Sequence, residues 1–207
     1  MTGLVSAARK GNAPYDLEVQ LYAGSRDNKV VREHLRQFFA GHRCEEHVWT
    51  LGPALDELPH LRALEFAPGP KTELWVYVTA GAWEARNDPR LEFLIAAPEQ
   101  DQRHVELLFM AAWYHGREGL GTGHTLPIGE PWLPGSTCEF FLVSLPYPFG
   151  PELEVCNFPD WHLHVLWLLP ITAAEREFKV REGPEALEEW FDACALEYWM
   201  PGRASVV

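Results

Sequence analysis

Residues 160–194 read DWHLHVLWLLPITAAEREFKVREGPEALEEWFDAC, and the class of fold is decided within this stretch. Its opening run predicts a long strand. Strict alternation places Asp160, His162 and His164 on one face and Leu163, Val165 and Trp167 on the other. Thr172 then begins T-A-A-E, the spacing of a capping box with Glu175, so a helix starts where the strand stops. From Pro184 to Cys194 a second helix is predicted. Leu187, Trp190, Phe191 and Cys194 recur at helical spacing, and Glu185, Glu188, Glu189 and Asp192 repeat the same spacing two residues earlier. The two stripes lie about 200° apart on a 3.6-residue helix, which predicts an aromatic face turned inward and an all-acid face turned outward.

Upstream of this stretch, strands and helices interleave. DNKVVREHLRQFFAG (27–41) predicts a helix that Asp27 caps and Gly41 stops, with Val31, Leu35, Phe38 and Phe39 inward. HVWTL (47–51), LRALEF (61–66), TELWVYVTAGAW (72–83) and LEFLIAA (91–97) predict strands. In the third of these, Leu74, Val76 and Val78 oppose Trp75 and Tyr77, so both faces are apolar and a central strand is expected. DQRHVELLFMAAWYHG (101–116) predicts a helix capped by Asp101, stopped near Gly116 and apolar nearly all round, hence buried on several sides. The Gly/Pro-rich GREGLGTGHTLPIGEPWLPGS (116–136) is long enough to suspect of function, and the strand CEFFLVSLP, the turn YPFGPE and the short LEVC follow it. Without strict βα alternation, the expected class is α+β (mixed α/β), a central mixed sheet flanked by helices.

A chain of 207 residues and 23.6 kDa can bury about 70% of its extended surface, enough for one core, so one domain spanning 1–207 is expected. Its ordered part should run from about 15 to 199, between a frayed N-terminus and a loose tail after Met200. The net charge is −13 and is unevenly spread. Residues 1–43 carry seven Lys/Arg against four Asp/Glu, whereas residues 44–207 carry ten against 26, a net of −16. Such a body repels phosphate backbones, which argues against nucleic acid, and it steers basic proteins toward itself. No apolar run nears the ~20 residues that span a bilayer. The N-terminal segment lacks the apolar core of a signal peptide, so a cytoplasmic location is expected. Cys44, Cys138, Cys156 and Cys194 match no zinc knuckle or disulfide framework; reduced structural thiols are expected, three of them in apolar surroundings.

No catalytic set emerges. Asp160, His162 and His164 are the best metal-like group, two imidazoles and a carboxylate on one strand face, but nothing nearby fixes a second shell, and hydrogen-bonded surface histidines explain them as well. GHRCEEH (41–47) misses the inverted zinc-peptidase signature because His42 stands one residue too early. GLGTG (119–123) lacks the ending of a phosphate-binding loop and follows a helix rather than a strand. No Ser sits in a G-x-S-x-G elbow. The carboxylates of 182–192 lie on a solvated face, without the burial that raises one pKa for general acid work.

The stretch 123–191 resembles bacterial members of the suppressor-of-fused-like family. The residues that carry the resemblance are G-x-T-L-P-x-G-x-P-W (123–132), L-P-Y-P (145–148), HVLWLLPIT-x-x-E (164–175) and G-x-x-A-L-E (183–188). The resemblance implies a mixed sheet flanked by helices, no catalytic residues and no cofactor. The animal relative carries a second, C-terminal domain and restrains a zinc-finger transcription factor of Hedgehog signalling by clamping an extended peptide. The second half of that clamp is expected to be missing here. Many bacterial members look like immunity proteins of polymorphic toxin systems. The expectation is therefore a non-enzymatic protein-binding domain, an immunity protein that neutralises a basic toxin domain. A regulatory scaffold that binds an extended peptide by strand addition is the alternative, and a metal-dependent hydrolase the minor one. The candidate partner-binding residues are His124 and Trp132 in the loop and Glu185, Glu188, Glu189 and Asp192 on the acidic helix.

Overall fold

The computed structural model describes residues 26–207. In order, the chain forms α1 (Arg26–Phe38), β1 (Cys44–His47), α2 (Ala54–Glu57), β2 (Arg62–Phe66), β3 (Trp75–Ala80), a 3-10 turn (Ala82–Ala85), β4 (Leu91–Ala97) and α3 (Arg103–Glu118). Then come β5 (Thr125–Pro127), β6 (Cys138–Ser144), α4 (Pro151–Glu154), β7 (Val155–Asn157), β8 (His162–Thr172), α5 (Ala173–Glu182) and α6 (Pro184–Ala193). The strands make one sheet in the order β1-β2-β3-β4-β8-β6-β5, with β7 paired to the start of β8. Among the described strands only β4 and β8 run parallel, so the sheet is mixed and the fold is α+β, as the sequence predicts.

Both faces of the sheet are covered. Tyr77, Phe93 and Leu168 pack under α3 on one side, while Val76, Val78 and Leu169 pack under α1 and α6 on the other. Alternation along β3 thus divides its residues between two cores, which a central strand with two apolar faces requires. Helix α3 buries residues around most of its circumference, His104 and His115 among them. It continues past Gly116, where a Cβ would stand 3.2 Å from the Ala85 side chain, and stops at Gly119 with φ +74°. Gly116 is therefore a point of close approach to the 3-10 turn, and the helix-terminating glycine is three residues later. Asp101 accepts from the Arg103 N–H at 2.8 Å, so it does serve the first turn.

Three expectations need correction, and the long loop proves to be built into the sheet. HVWTL is not a strand: pairing begins three residues upstream, at CEEH (44–47), with His47 opposite Ala63 and Cys44 opposite Phe66. This edge is held by charge rather than apolar alternation, because Arg32, Arg36 and Arg62 converge on Glu46 at 3.2–3.7 Å. Asp27 lies inside the first turn of α1, which already includes Arg26, and is not its cap. The loop 116–136 is knitted onto the sheet by β5 and by bonds such as Trp132 N–H to Cys138 O at 3.1 Å. Finally, the tail after Met200 is bonded in place. Arg203 meets Glu175 at 2.6 and 2.7 Å and donates to Pro170 O at 2.9 Å, while the Val206 N–H donates to Glu175 at 3.1 Å. The expected frayed N-terminus and a core beginning near residue 15 lie outside the described residues. No described helix is long and apolar enough to cross a membrane.

Candidate binding groove

The capping box forms as its spacing dictates. Thr172 Oγ1 accepts from the Glu175 N–H, and Glu175 returns an acceptor to the Thr172 N–H. This fixes α5 on the end of β8, and Gly183 then turns the chain into α6. The inward row of α6 is narrower than predicted, for only Leu187 and Phe191, one turn apart, reach the core. Trp190 is 46% exposed, beside Phe178, Arg181 and Val206, and Cys194 lies beyond the helix end in solvent. All four cysteines are free. Burial pushes the Cys156 thiol up to about 11 and raises those of Cys138 and Cys44, which leaves them unreactive.

Glu185, Glu189 and Asp192 face solvent as predicted. Glu188 does not. It turns toward the sheet, accepting from Ser144 Oγ at 3.0 Å and, at a long 3.5 Å, from the Tyr147 hydroxyl. Tyr147 stands in the L-P-Y-P turn, where Pro146 O accepts from both the Phe149 and Gly150 N–H groups. Between this turn and α6 runs an open groove of about 450 Å³. Trp167 and Leu169 of β8 form its floor. Phe191, Leu196 and Tyr198 close one side and Tyr147 the other, with Glu188 and Asp192 on the rim. Among the described residues, neither Lys, Arg nor His lines it. Partial burial and then the charges of Glu188, Asp192 and Glu154 raise the Tyr147 hydroxyl above the usual tyrosine value, a sign of negative potential there.

The groove's far wall depends on a strained turn. After α6, Ala195 N–H donates to Asp192 O and Leu196 N–H to Phe191 O, a Schellman closure with Ala195 at φ +47° where glycine is usual. This reversal brings Leu196 and Tyr198 back over the sheet. The Tyr198 ring meets Trp167 edge-on, 4.5 Å between centroids. Trp167 is 4% exposed, and its indole N–H is sealed from solvent with no acceptor among the described residues.

The other candidate residues are scattered. Trp132 is fully buried against the His104 ring, which removes it as a contact for any partner. Its large apolar surface fills the core under the loop, which the loop's Gly/Pro-rich character conceals. His124 is exposed at the start of β5, and its neighbour Gly123 packs on Pro184, the first residue of α6. Of Asp160, His162 and His164, only the two imidazole rings come together, 5.1 Å between centroids; Asp160 precedes the strand, and His164 pairs with Glu154 at 3.2 Å. Among the described residues the one metal-type triad is Glu45, His47 and Glu65 on the β1 edge, its ligand atoms within 4.8 Å of one another. There the His47–Glu65 contact of 3.1 Å and the 2.6 Å bond from Gln100 to Glu65 account for the buried carboxylate. Sequence reasoning does not select Trp167, Tyr147 or Tyr198. The first two lie inside the motifs already quoted, whereas Tyr198 has no local signal.

Residues 57–204 match the family model of Suppressor of fused protein (SUFU). The chain is 36% identical to a SUFU homologue from Neisseria gonorrhoeae FA 1090, with a TM-score of 0.78 over 87% of this chain and 96% of that one. Two further structures share the fold at lower identity. One is a chain of the Sufu–Fu complex, at 16% identity and TM-score 0.65, covering 86% of this chain and 91% of that one. The other is Drosophila Suppressor of Fused, at 15% and 0.64, where the alignment takes in 86% of this chain and 50% of that one, so this chain spans about half the Drosophila protein. No curated protein matches the sequence. The extent of the family match, together with the gonococcal homologue, places this chain in the suppressor of fused family.

Proposed function

We propose that the chain is a non-enzymatic protein-binding domain that captures a basic protein partner on the α6 face, in the manner of an immunity protein neutralising a toxin domain. The observation that carries this reading is a convergence. Residues from three separated motifs, Tyr147, Trp167 and Glu188, come together on one acid-rimmed groove. Beside it, Glu185, Glu189 and Asp192 form a solvated acidic face without a single ion pair among the described residues. Aromatic anchors within a field of one sign favour a partner of the opposite sign, with charge setting the encounter rate and the groove setting the residence time. Strand addition has less support. The outer strands of the described sheet, β1, β5 and β7, have only four, three and three residues, and β5 contains Pro127.

The test is capture of the product of an adjacent gene by the purified chain, with Glu185→Lys, Glu189→Lys and Asp192→Lys combined as the probe. The expected result is a basic partner whose affinity falls at least tenfold in the triple variant and falls with added salt. Affinity and salt dependence unchanged by the triple variant would remove the acidic face from the mechanism. Growth protection on co-expression with that partner identifies immunity; a partner that is harmless to the cell points to a regulatory scaffold.

A further inference from the structure

We propose that the groove takes an arginine side chain from an extended segment of the partner, the guanidinium set between Asp192 and Glu188 and its stem laid over Trp167 and Phe191. This rests on the protein-binding reading above and names what the groove recognises. Four features of the site favour that occupant. The volume of about 450 Å³ falls within the range of about 300–1,000 Å³ of built ligand sites, well short of a whole docked helix. The floor is apolar and aromatic, which suits a planar, weakly hydrated cation better than an ammonium. The rim carries two carboxylates and, among the described residues, no cation. Glu188 is already oriented by Ser144 and Tyr147, while the carboxylate of Asp192, one turn further along the same face, has no hydrogen-bond partner among the described residues.

The fourth feature is the Trp167 indole. A buried N–H without an acceptor is costly, and this one belongs to a side chain 96% buried in the floor of the groove. Tyr198, whose ring packs edge-on against the Trp167 indole, sits after α6 in irregular chain rather than in a helix or strand, so it can yield to an entering segment. A main-chain carbonyl beside the arginine then supplies the missing acceptor. The groove reads a cation and a neighbouring carbonyl together, a pair that an extended arginine-bearing peptide presents and a free metal ion or an acidic peptide does not.

The experiment titrates ¹⁵N-labelled protein with acetyl-Gly-Arg-Gly-amide and, separately, with acetyl-Gly-citrulline-Gly-amide, which keeps the shape and removes the charge. The readout is the indole N–H resonance of Trp167, assigned through Trp167→Phe or, should that variant not fold, through its contacts to the Tyr198 ring. The expected result is a saturable shift of Trp167 with the arginine peptide, at least tenfold weaker with citrulline and at least tenfold weaker in Asp192→Asn. Equal binding of the two peptides, or shifts at other indoles with Trp167 unmoved, overturns the proposal. Should partner capture still fall in the charge-reversed triple variant while Trp167 stays silent, the arginine assignment is wrong and the protein-binding reading stands. A Trp167 shift in a chain that captures no partner upholds the arginine site and overturns the capture of a basic protein.

Discussion

Replacing Arg203 by alanine tests whether the C-terminal segment is part of the fold. The guanidinium forms a two-pronged pair with Glu175 at 2.6 and 2.7 Å, and the two side chains are 5% and 0% exposed. Because neither group reaches solvent, surface screening does not discount the pair. Removing one partner of a buried pair costs about 3–5 kcal/mol, since the other charge is left uncompensated. Here Glu175 keeps the N–H groups of Thr172 at 2.8 Å and Val206 at 3.1 Å, which puts Arg203→Ala at the lower end, about 3 kcal/mol. With a urea slope of about 2–3 kcal/mol/M, the unfolding midpoint followed by tryptophan fluorescence should fall by roughly 1 M. Arg203→Met combined with Glu175→Gln removes both charges and should regain most of that loss, leaving about 1 kcal/mol for the weakened capping box. A midpoint shift below roughly 0.3 M for Arg203→Ala, or a double variant no better than the single, refutes the buried-pair account.

Two further outcomes follow from named groups. Burial lifts the Glu92 carboxyl from 4.5 to about 7, even though the Gly81 and Ala82 N–H groups donate to it at 2.8 and 3.1 Å. The folded state therefore holds this proton more tightly than the unfolded state. Its contribution is full below about pH 4.5 and is lost as pH rises through about 7, on the order of 3 kcal/mol. Urea unfolding at pH 5 and pH 8 should show that slope flattened in Glu92→Gln, and an unchanged slope sinks the assignment. Ala195→Gly relieves the left-handed backbone at φ +47° and should raise stability by about 1 kcal/mol, or Tm by roughly 2–4 °C. A lower Tm would mean that the turn after α6 is not strained.

How much of this is legible from residues alone depends on whether the signal is local. Thr172 and Glu175 are three positions apart, so their capping box is visible as a spacing. The two faces of β3 are equally visible as a period of two. Helix α6 is readable in its period but not in its depth: the same stripe holds Leu187, which is buried, and Trp190, which is not, because α5 and the tail set the limit of the core. The strand at CEEH escapes sequence reading because an edge strand needs only a backbone partner, and the arginines that hold Glu46 lie on α1 and β2. Arg203 and Tyr198 give no warning, since their partners Glu175 and Trp167 are 28 and 31 residues away in sequence. Trp132 misleads for a related reason, as a glycine-rich loop can still carry a core residue when both of its flanks pair with the sheet.

The motif residues divide into two kinds, and the division bears on what this family match can tell. Trp132 is sealed in the core, Thr172 and Glu175 bond to each other and to the tail, and Gly123 and Gly129 hold positive-φ turns. All of these are demands of folding, met whatever the chain binds. Tyr147, Trp167 and Glu188 belong to the same motifs yet line the open groove, and folding alone does not ask for a carboxylate steered to a groove rim. Asp192, Leu196 and Tyr198 complete that groove from outside every motif. On the binding reading, folding rests on Trp132, Thr172 and Glu175, while the groove's rim and outer wall rest on Asp192, Leu196 and Tyr198. Substitutions at Asp192 and Tyr198 should therefore redirect binding without unfolding the chain, whereas those at Trp132 or Glu175 should do the reverse.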